Sequence, residues 1–160
     1  MSGELNELES LDITMRRQIP APPDLVFRMW TEADLLKKWW GPPDVTCTEA
    51  EIDLKVGGSY RIANLFSSGE ITWIHGEYEL IDPPNRLVYT WGIGLENVPT
   101  ERVTVTFQLS GLGTEVVVFH EHAPDVPTRE GHIQGWDGCL DGLVEMVGSS
   151  GVGSLDGNRS

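Results

Sequence analysis

The alternation of apolar and polar residues predicts a chain rich in β-strands that ends in one long helix. From residue 45 to residue 122, most segments alternate with a period of two, which is typical of strands with one buried face. The predicted strands are 11–19, 45–54, 59–66, 71–81, 86–93, 101–109 and 114–122. Most of them are separated by short turns, which indicates a meandering antiparallel sheet.

Helical spacing appears between the first two strands and again near the C-terminus. Residues 22–30 and 32–39 predict two short helices, with Thr31 as the N-cap of the second and Gly41-Pro42-Pro43 ending it. Residues 126–147 predict the long helix. The apolar face of that helix is formed by Ile133, Trp136, Leu140, Leu143 and Val147.

The ends of the long helix carry suitable residues, but its interior does not favour an isolated helix. Pro127 fits the first turn and Gly148 fits the closing position. Each glycine in the interior costs about 1 kcal/mol against alanine. These glycines are Gly131, Gly135, Gly138 and Gly142. We therefore expect packing against the curved sheet to hold the helix, with a wedge of space between them.

The length and composition indicate a single domain, spanning 11–147. Residues 1–10 predict a flexible lead, and the Gly/Ser-rich residues 148–160 predict a disordered tail. Cys47 and Cys139 match no metal or redox spacing, so we expect free thiols, although a disulfide stays possible.

The net charge of −14 argues against nucleic acid and membrane surfaces as partners. We find no signal peptide and no apolar run of about 20 residues, so the sequence predicts a soluble cytoplasmic protein. Exposed strand edges would permit a homodimer.

Several short sequence motifs resemble those of a known family. They are Trp39-Trp40-Gly41-Pro42, Gly57-Gly58-Ser59-Tyr60-Arg61, Gly76-Glu77-Tyr78 and the run from Asp82 to Trp91. With the order β-α-α-β6-α, residues 11–147 resemble the activator-of-heat-shock-protein-90-ATPase homologue-like family. That family belongs to the START-related (SRPBCC) superfamily, with the birch-pollen-allergen-like proteins and the polyketide cyclases. The resemblance implies an α+β helix-grip fold, in which a curved sheet of about seven strands wraps the C-terminal helix around a cavity.

The alternation of side chains along each strand, and the apolar face of each helix, suggest which side chains line that cavity. The predicted ligand-binding residues are Met29, Trp39, Tyr60, Trp73, Tyr89, Trp91, Val118, His120, His122, His132, Ile133, Trp136 and Leu140. The aromatic side chains would supply apolar contact, or they would simply fill the core. Trp73 fits least well, because its parity differs from that of Gly76 and Tyr78. Trp40 is interpreted as a structural plug.

His120 follows Val116 and Val118 onto the inward face of the last strand, where a buried imidazole needs a partner. It would either orient a ligand through a hydrogen bond or bond a backbone carbonyl at the strand end. Zinc held by His120 and His122, with His132 or Glu121 as a third ligand, is a minor alternative because no spacing is diagnostic. No cofactor and no metal is therefore expected.

The leading hypothesis is non-catalytic binding of a hydrophobic or aromatic small molecule. The second is a cyclase or dehydratase acting on a polyketide-like substrate, with His120 as the general acid/base. The third is a chaperone partner, suggested by the family name. It ranks last, because eukaryotic co-chaperones carry an extra N-terminal domain for which 160 residues leave no room.

Overall fold

The computed structural model describes residues 11–41 and 45–147 as seven strands and three helices. The strands are β1 (Ile13–Ile19), β2 (Val45–Ile52), β3 (Ser59–Phe66), β4 (Ile71–Asp82), β5 (Arg86–Ile93), β6 (Glu101–Ser110) and β7 (Gly113–Glu121). The helices are α1 (Pro23–Thr31), α2 (Ala33–Trp39) and α3 (Val126–Met146). The predicted lead 1–10, the Pro42-Pro43 stop, the Gly148 cap and the tail 148–160 lie outside the described residues.

The strands form one antiparallel sheet in the order β1-β7-β6-β5-β4-β3-β2. This confirms the predicted meander, with the first strand returning to pair beside the last. The strand ends match the predicted ones or differ from them by at most two residues. β7 stops at Glu121 because His122 takes a positive φ of 72°, which strand geometry does not allow.

The two short helices lie where they were predicted, but Thr31 is not the N-cap of the second. Thr31 is the last residue of α1, and its hydroxyl donates to the Phe27 carbonyl at 3.0 Å. Glu32 precedes α2 without a side-chain cap. At the start of α3, the Asp125 carboxylate accepts from the Thr128 N–H at 2.8 Å, and Pro127 occupies the first turn as predicted.

Helix α3 contacts β1 on one side and α2 on the other. Arg17 of β1 donates to Asp137, over 2.6 Å, and to Asp141. On the side facing α2, Gly142 approaches the Trp39 carbonyl so closely that a Cβ would lie 2.8 Å from its oxygen. At Gly131 and Gly135 an added Cβ would meet no atom within 4 Å. One of the interior glycines therefore serves close packing, whereas these two border open space.

The buried core lies between the inner face of the sheet and the three helices. Cys47 and Cys139 are both unpaired and buried in it. Among residues 11–41 and 45–147, no helix is long and apolar enough to cross a membrane.

Candidate functional site

The enclosed interior between the sheet and the helices is filled by aromatic side chains. The cavity bordered by Trp30, Tyr60, Tyr78, Tyr89 and Trp91 among others has a volume of only about 10 Å³. That volume is at the lower limit for a single water molecule. A ligand therefore has no room in this cavity.

Three of these interior aromatic side chains have their polar ends satisfied within the protein. Trp30 Nε1 donates to the Tyr89 hydroxyl at 3.2 Å, and Trp39 Nε1 donates to the Met29 carbonyl at 2.8 Å. The Tyr60 hydroxyl donates to the Thr90 carbonyl at 2.6 Å. These hydrogen bonds are those of a core built for stability.

An open cleft of about 720 Å³ lies beside this core, between the inner face of β2–β5 and the first half of α3. The cleft lies between the sheet and the long helix, where the wedge of space was predicted. It is nearer to solvent than expected, because aromatic side chains occupy the inner part of that space. Its sheet wall is formed by Val45, Asn64, Phe66, Thr72, Ile74, Trp91 and Ile93, and its helix wall runs from Gly131 to Asp141. Trp40 closes its inner end and donates from Nε1 to the Asn64 side-chain oxygen at 3.0 Å.

Three polar side chains meet beside the cleft, and one of them, His132, lines it. Glu101 opens β6 opposite Trp91, and His120 of β7 lies opposite Val103, two residues from Glu101 on the same face. His132 lies on α3. The Glu101 Oε1 atom is 2.8 Å from Nε2 of His120 and 2.8 Å from Nε2 of His132. All three residues are buried, with 7%, 0% and 8% of their surface exposed respectively.

Trp136, one turn after His132 on α3, completes this network and determines its protonation. Its Nε1 lies 3.0 Å from Nδ1 of His120. An indole N–H only donates, so His120 Nδ1 accepts and the proton of the neutral ring lies on Nε2. That proton is donated to Glu101. We call Glu101, His120, His132 and Trp136 the buried network.

The electrostatics of the buried network follow from these hydrogen bonds. Burial opposes the ionisation of Glu101, but the hydrogen bonds from His120 and His132 outweigh it and lower the pKa of Glu101 to about 2. Burial lowers the pKa of His120, against the opposing effect of Glu101. At neutral pH the network therefore contains a carboxylate and a neutral His120.

Two imidazoles and a carboxylate also form a donor set used by zinc enzymes, and the three ligand atoms lie within 4.8 Å of one another. A metal on His120 Nε2 would require the ring proton to move to Nδ1. That N–H would then face the N–H of Trp136, two donors 3.0 Å apart. The arrangement fits a hydrogen-bonded network better than a metal centre.

Trp91 presents an unsatisfied donor beside the cleft. Among the buried side-chain nitrogens and oxygens of residues 11–41 and 45–147, Trp91 Nε1 is the one without a hydrogen-bond partner. The indole borders both the filled interior and the cleft, and it packs edge-on against the rings of His120 and His132. A buried, unpaired N–H is costly, so a partner for it is expected.

The structure brings three of the predicted site residues to the cleft and distributes the others. Those at the cleft are Trp91, His132 and Trp136. Those inside the filled core are Met29, Trp39, Tyr60, Tyr89, Val118, His120 and Leu140. Ile133 is half-buried on α3 and does not line the cleft.

Two of the predicted side chains are placed elsewhere. His122 does not continue the inward face of β7, because the strand has ended and the chain turns at this residue, so its side chain is exposed. Trp73 lies on the opposite side of β4 from the buried Ile74, beneath the guanidinium of Arg61 at 4.9 Å. A bulge near Trp73 would have turned its side chain to the inner face, but the irregularity of β4 lies between Tyr78 and Leu80.

Sequence reasoning missed Glu101 and Asn64. Both positions follow from strand parity: Glu101 alternates with the buried Val103 and Val105, and Asn64 alternates with Tyr60 and Ile62. The signal was present, but a carboxylate at the start of a strand reads as a surface residue. Its histidine partners lie 19 and 31 residues away in the chain.

Comparison with known proteins agrees with this fold. The model of the family described as "Activator of Hsp90 ATPase homolog 1-like protein" matches residues 20–148. A crystal structure of a Chromobacterium violaceum protein superposes with a TM-score of 0.78 at 30% identity, covering 86% of this chain and 97% of that one.

Two further solved structures share the fold at lower identity. The AHSA1-like protein from Aeromonas hydrophila gives a TM-score of 0.73 at 22% identity, covering 88% of this chain and 94% of that one. The AHSA1 protein from Silicibacter pomeroyi gives 0.73 at 20% identity, covering 86% and 97%. No curated protein matches the sequence significantly. Since the family model covers most of the chain, this protein belongs to the family of Activator of Hsp90 ATPase homolog 1-like proteins, with a helix-grip fold of the SRPBCC superfamily.

Proposed function

We propose that this protein binds a small, largely apolar molecule with aromatic character in the cleft between α3 and strands β2–β5. The observation that carries the proposal is the coexistence of an open, aromatic-walled cleft with an unpaired buried donor, Trp91 Nε1, at its side. A ligand oxygen that accepts from this indole would remove the cost of the unpaired N–H.

The shape and composition of the cleft support a ligand of limited polarity. The volume of about 720 Å³ is in the range of small-molecule sites. Phe66, Ile74 and Ile93 contribute apolar surface, and Trp40, Trp91 and Trp136 contribute aromatic rings. The acidic side chains at the helix wall, Asp137 and Asp141, share the guanidinium of Arg17, which offsets one of their two negative charges.

Binding is tested first by native mass spectrometry of freshly purified protein, which reveals a co-purified molecule. Titration with the neutral aromatic probe 4-nitroanisole, followed by thermal unfolding, then measures affinity because a ligand of the folded state raises Tm. The variant Gly135→Leu adds an apolar side chain where a Cβ meets no atom within 4 Å, so it fills the cleft without disturbing the core.

The matched control is Gln108→Leu, which adds the same side chain at an exposed position of β6 outside the cleft. The proposal predicts that 4-nitroanisole stabilises the wild type and Gln108→Leu but not Gly135→Leu. Equal stabilisation of all three proteins, or of none, would contradict binding in the cleft.

A further inference from the structure

His132 differs from His120 in having one ring nitrogen free. Its Nε2 is bonded to Glu101, whereas its Nδ1 has no partner among residues 11–41 and 45–147. Among the described residues, Trp91 Nε1 is the one buried side-chain nitrogen or oxygen without a partner. Nδ1 of His132 also lacks a partner, so it is not buried and is in contact with solvent. His132 lines the cleft. His120, in contrast, has both nitrogens engaged and none of its surface exposed.

The buried network fixes the free nitrogen as a proton acceptor. Trp136 holds the His120 proton on Nε2, and that proton is donated to Glu101. The Glu101 carboxylate therefore accepts, rather than donates, at its bond to His132, so the proton of a neutral His132 lies on Nε2. The lone pair then lies on Nδ1. A carboxylate that holds one ring nitrogen while the other takes a proton is the arrangement found in Ser-His-Asp enzymes.

We infer that His132 Nδ1 accepts the proton of a weakly acidic hydroxyl group, of the phenol or enol class, on the ligand of the cleft. The inference rests on the proposed function and names the ligand class. The O–H bond breaks, the electron pair stays on the ligand oxygen, and the proton moves to Nδ1. The resulting imidazolium lies against the Glu101 carboxylate, and the ligand is held as its anion.

The other ionisable groups around His132 do not compete for this role. Within the network, His120 is neutral and without a free nitrogen. Along the helix wall, Asp137 and Asp141 are paired with Arg17 of β1. Burial raises the pKa of Cys139 to about 12, which keeps its thiol neutral. Trp91, whose ring centroid is 5.7 Å from that of His132, carries a buried N–H without a partner and has no group that could take up a proton.

The expectation that His120 would be the acid/base group is therefore revised. His120 is a positioning residue that holds Glu101, and through it the tautomer of His132. The reason is geometric, because no ligand atom can reach a ring that is fully buried with both nitrogens bonded.

The experiment uses 4-nitrophenol, whose phenol and phenolate forms absorb at different wavelengths, together with 4-nitroanisole, which has no proton to lose. Equilibrium dialysis measures binding of each probe, and absorbance across pH measures the ionisation of bound 4-nitrophenol. The variants are His132→Gln, Glu101→Gln and, as a control outside the cleft, His75→Gln.

We expect the ionisation constant of bound 4-nitrophenol to exceed that of the free probe by about tenfold or more in the wild type and in His75→Gln, as for an acid beside a compensating cation. His132→Gln should lose this shift in the 4-nitrophenol that it binds, and a cooperative thermal unfolding transition shows that the variant is folded. Glu101→Gln should reduce the shift, because the imidazolium loses its counter-charge.

Bound 4-nitrophenol that ionises like the free probe in the wild type would overturn the inference and leave cleft binding intact. A shift that persists in His132→Gln would overturn it as well. If neither probe binds, both the inference and the proposed function fail.

Discussion

The indole Nε1–H of Trp136 donates to Nδ1 of His120 over 3.0 Å. Because an indole cannot accept, this bond sets the proton of His120 on the nitrogen that faces Glu101. Glu101 in turn holds His132 at the edge of the cleft. The hydrogen bonds from Trp136 through His120 and Glu101 to His132 thus leave Nδ1 of His132 as the unbonded ring nitrogen.

Replacing Trp136 by phenylalanine should destabilise the protein substantially. The variant leaves a buried acceptor on His120 unsatisfied and removes part of a ring packed against Trp30, Trp40 and Trp91. We expect the free energy of unfolding to fall by roughly 2–4 kcal/mol, measured by urea denaturation. The control is Trp73→Phe, at a half-buried position on the outer face of the sheet. It should lower the free energy of unfolding by less than about 1 kcal/mol. Equal costs would show that the indole bond is unimportant.

The free energy of unfolding should decrease as the pH is lowered, because groups of the buried network become protonated. The folded pKa of Glu101, about 2, lies below its ordinary value of 4.5, so its contribution is complete above pH 4.5 and is lost as the pH falls from 4.5 toward 2. The loss is on the order of 3 kcal/mol. His120, whose pKa burial lowers, adds a loss that begins below its ordinary value of 6.5.

Urea midpoints of the wild type and Glu101→Gln at pH 7.5, 5 and 3.5 test this dependence. The difference between the two proteins should shrink below pH 4.5, where the wild-type carboxylate begins to lose its advantage. A difference that stays constant down to pH 3.5 would mean that Glu101 titrates normally in the folded state.

Zinc should not bind tightly to the buried network, because its His120 nitrogen carries the proton that Trp136 fixes. Competition with a chromogenic chelator should show no stoichiometric zinc, and equimolar zinc should leave Tm unchanged. A zinc-dependent rise in Tm that disappears in His132→Gln would instead show a metal centre at these residues.

The glycines of α3 should respond in opposite directions to alanine. Gly131→Ala and Gly135→Ala add a methyl group in open space, so each should stabilise the helix by about 0.5–1 kcal/mol. Gly142→Ala should destabilise the protein, because its Cβ would lie 2.8 Å from the Trp39 carbonyl oxygen. Thermal unfolding of the three variants measures the contrast. Stabilisation by all three would show that α2 and α3 are not held this closely.

The strands and the long helix were predictable because each buries one face, and burial imposes a period that the sequence records. Residues 86–93 and the helix beginning at Val126 agree with the structure at these positions. The turn at His122 was not predictable, because alternation alone does not reveal a positive φ.

The location of the candidate site was less accessible to sequence reasoning. Whether a wedge is hollow depends on the rotamers of side chains such as Trp30, Tyr60 and Tyr89, which here fill the enclosed part. The pairing of Glu101 with His132 joins a strand to a helix across 31 residues, and no local pattern encodes it.

The most direct test of ligand binding in the cleft is to locate the tryptophans that a ligand contacts. The six tryptophans give six indole N–H signals in a ¹H–¹⁵N NMR spectrum, which Trp→Phe variants assign. On titration with 4-nitroanisole, binding in the cleft predicts the largest changes at Trp91 and Trp136, a smaller change at Trp40 and none at Trp73. Changes confined to Trp30 and Trp39 would place the ligand in the filled interior. No change at saturating probe would show that the cleft is not a binding site.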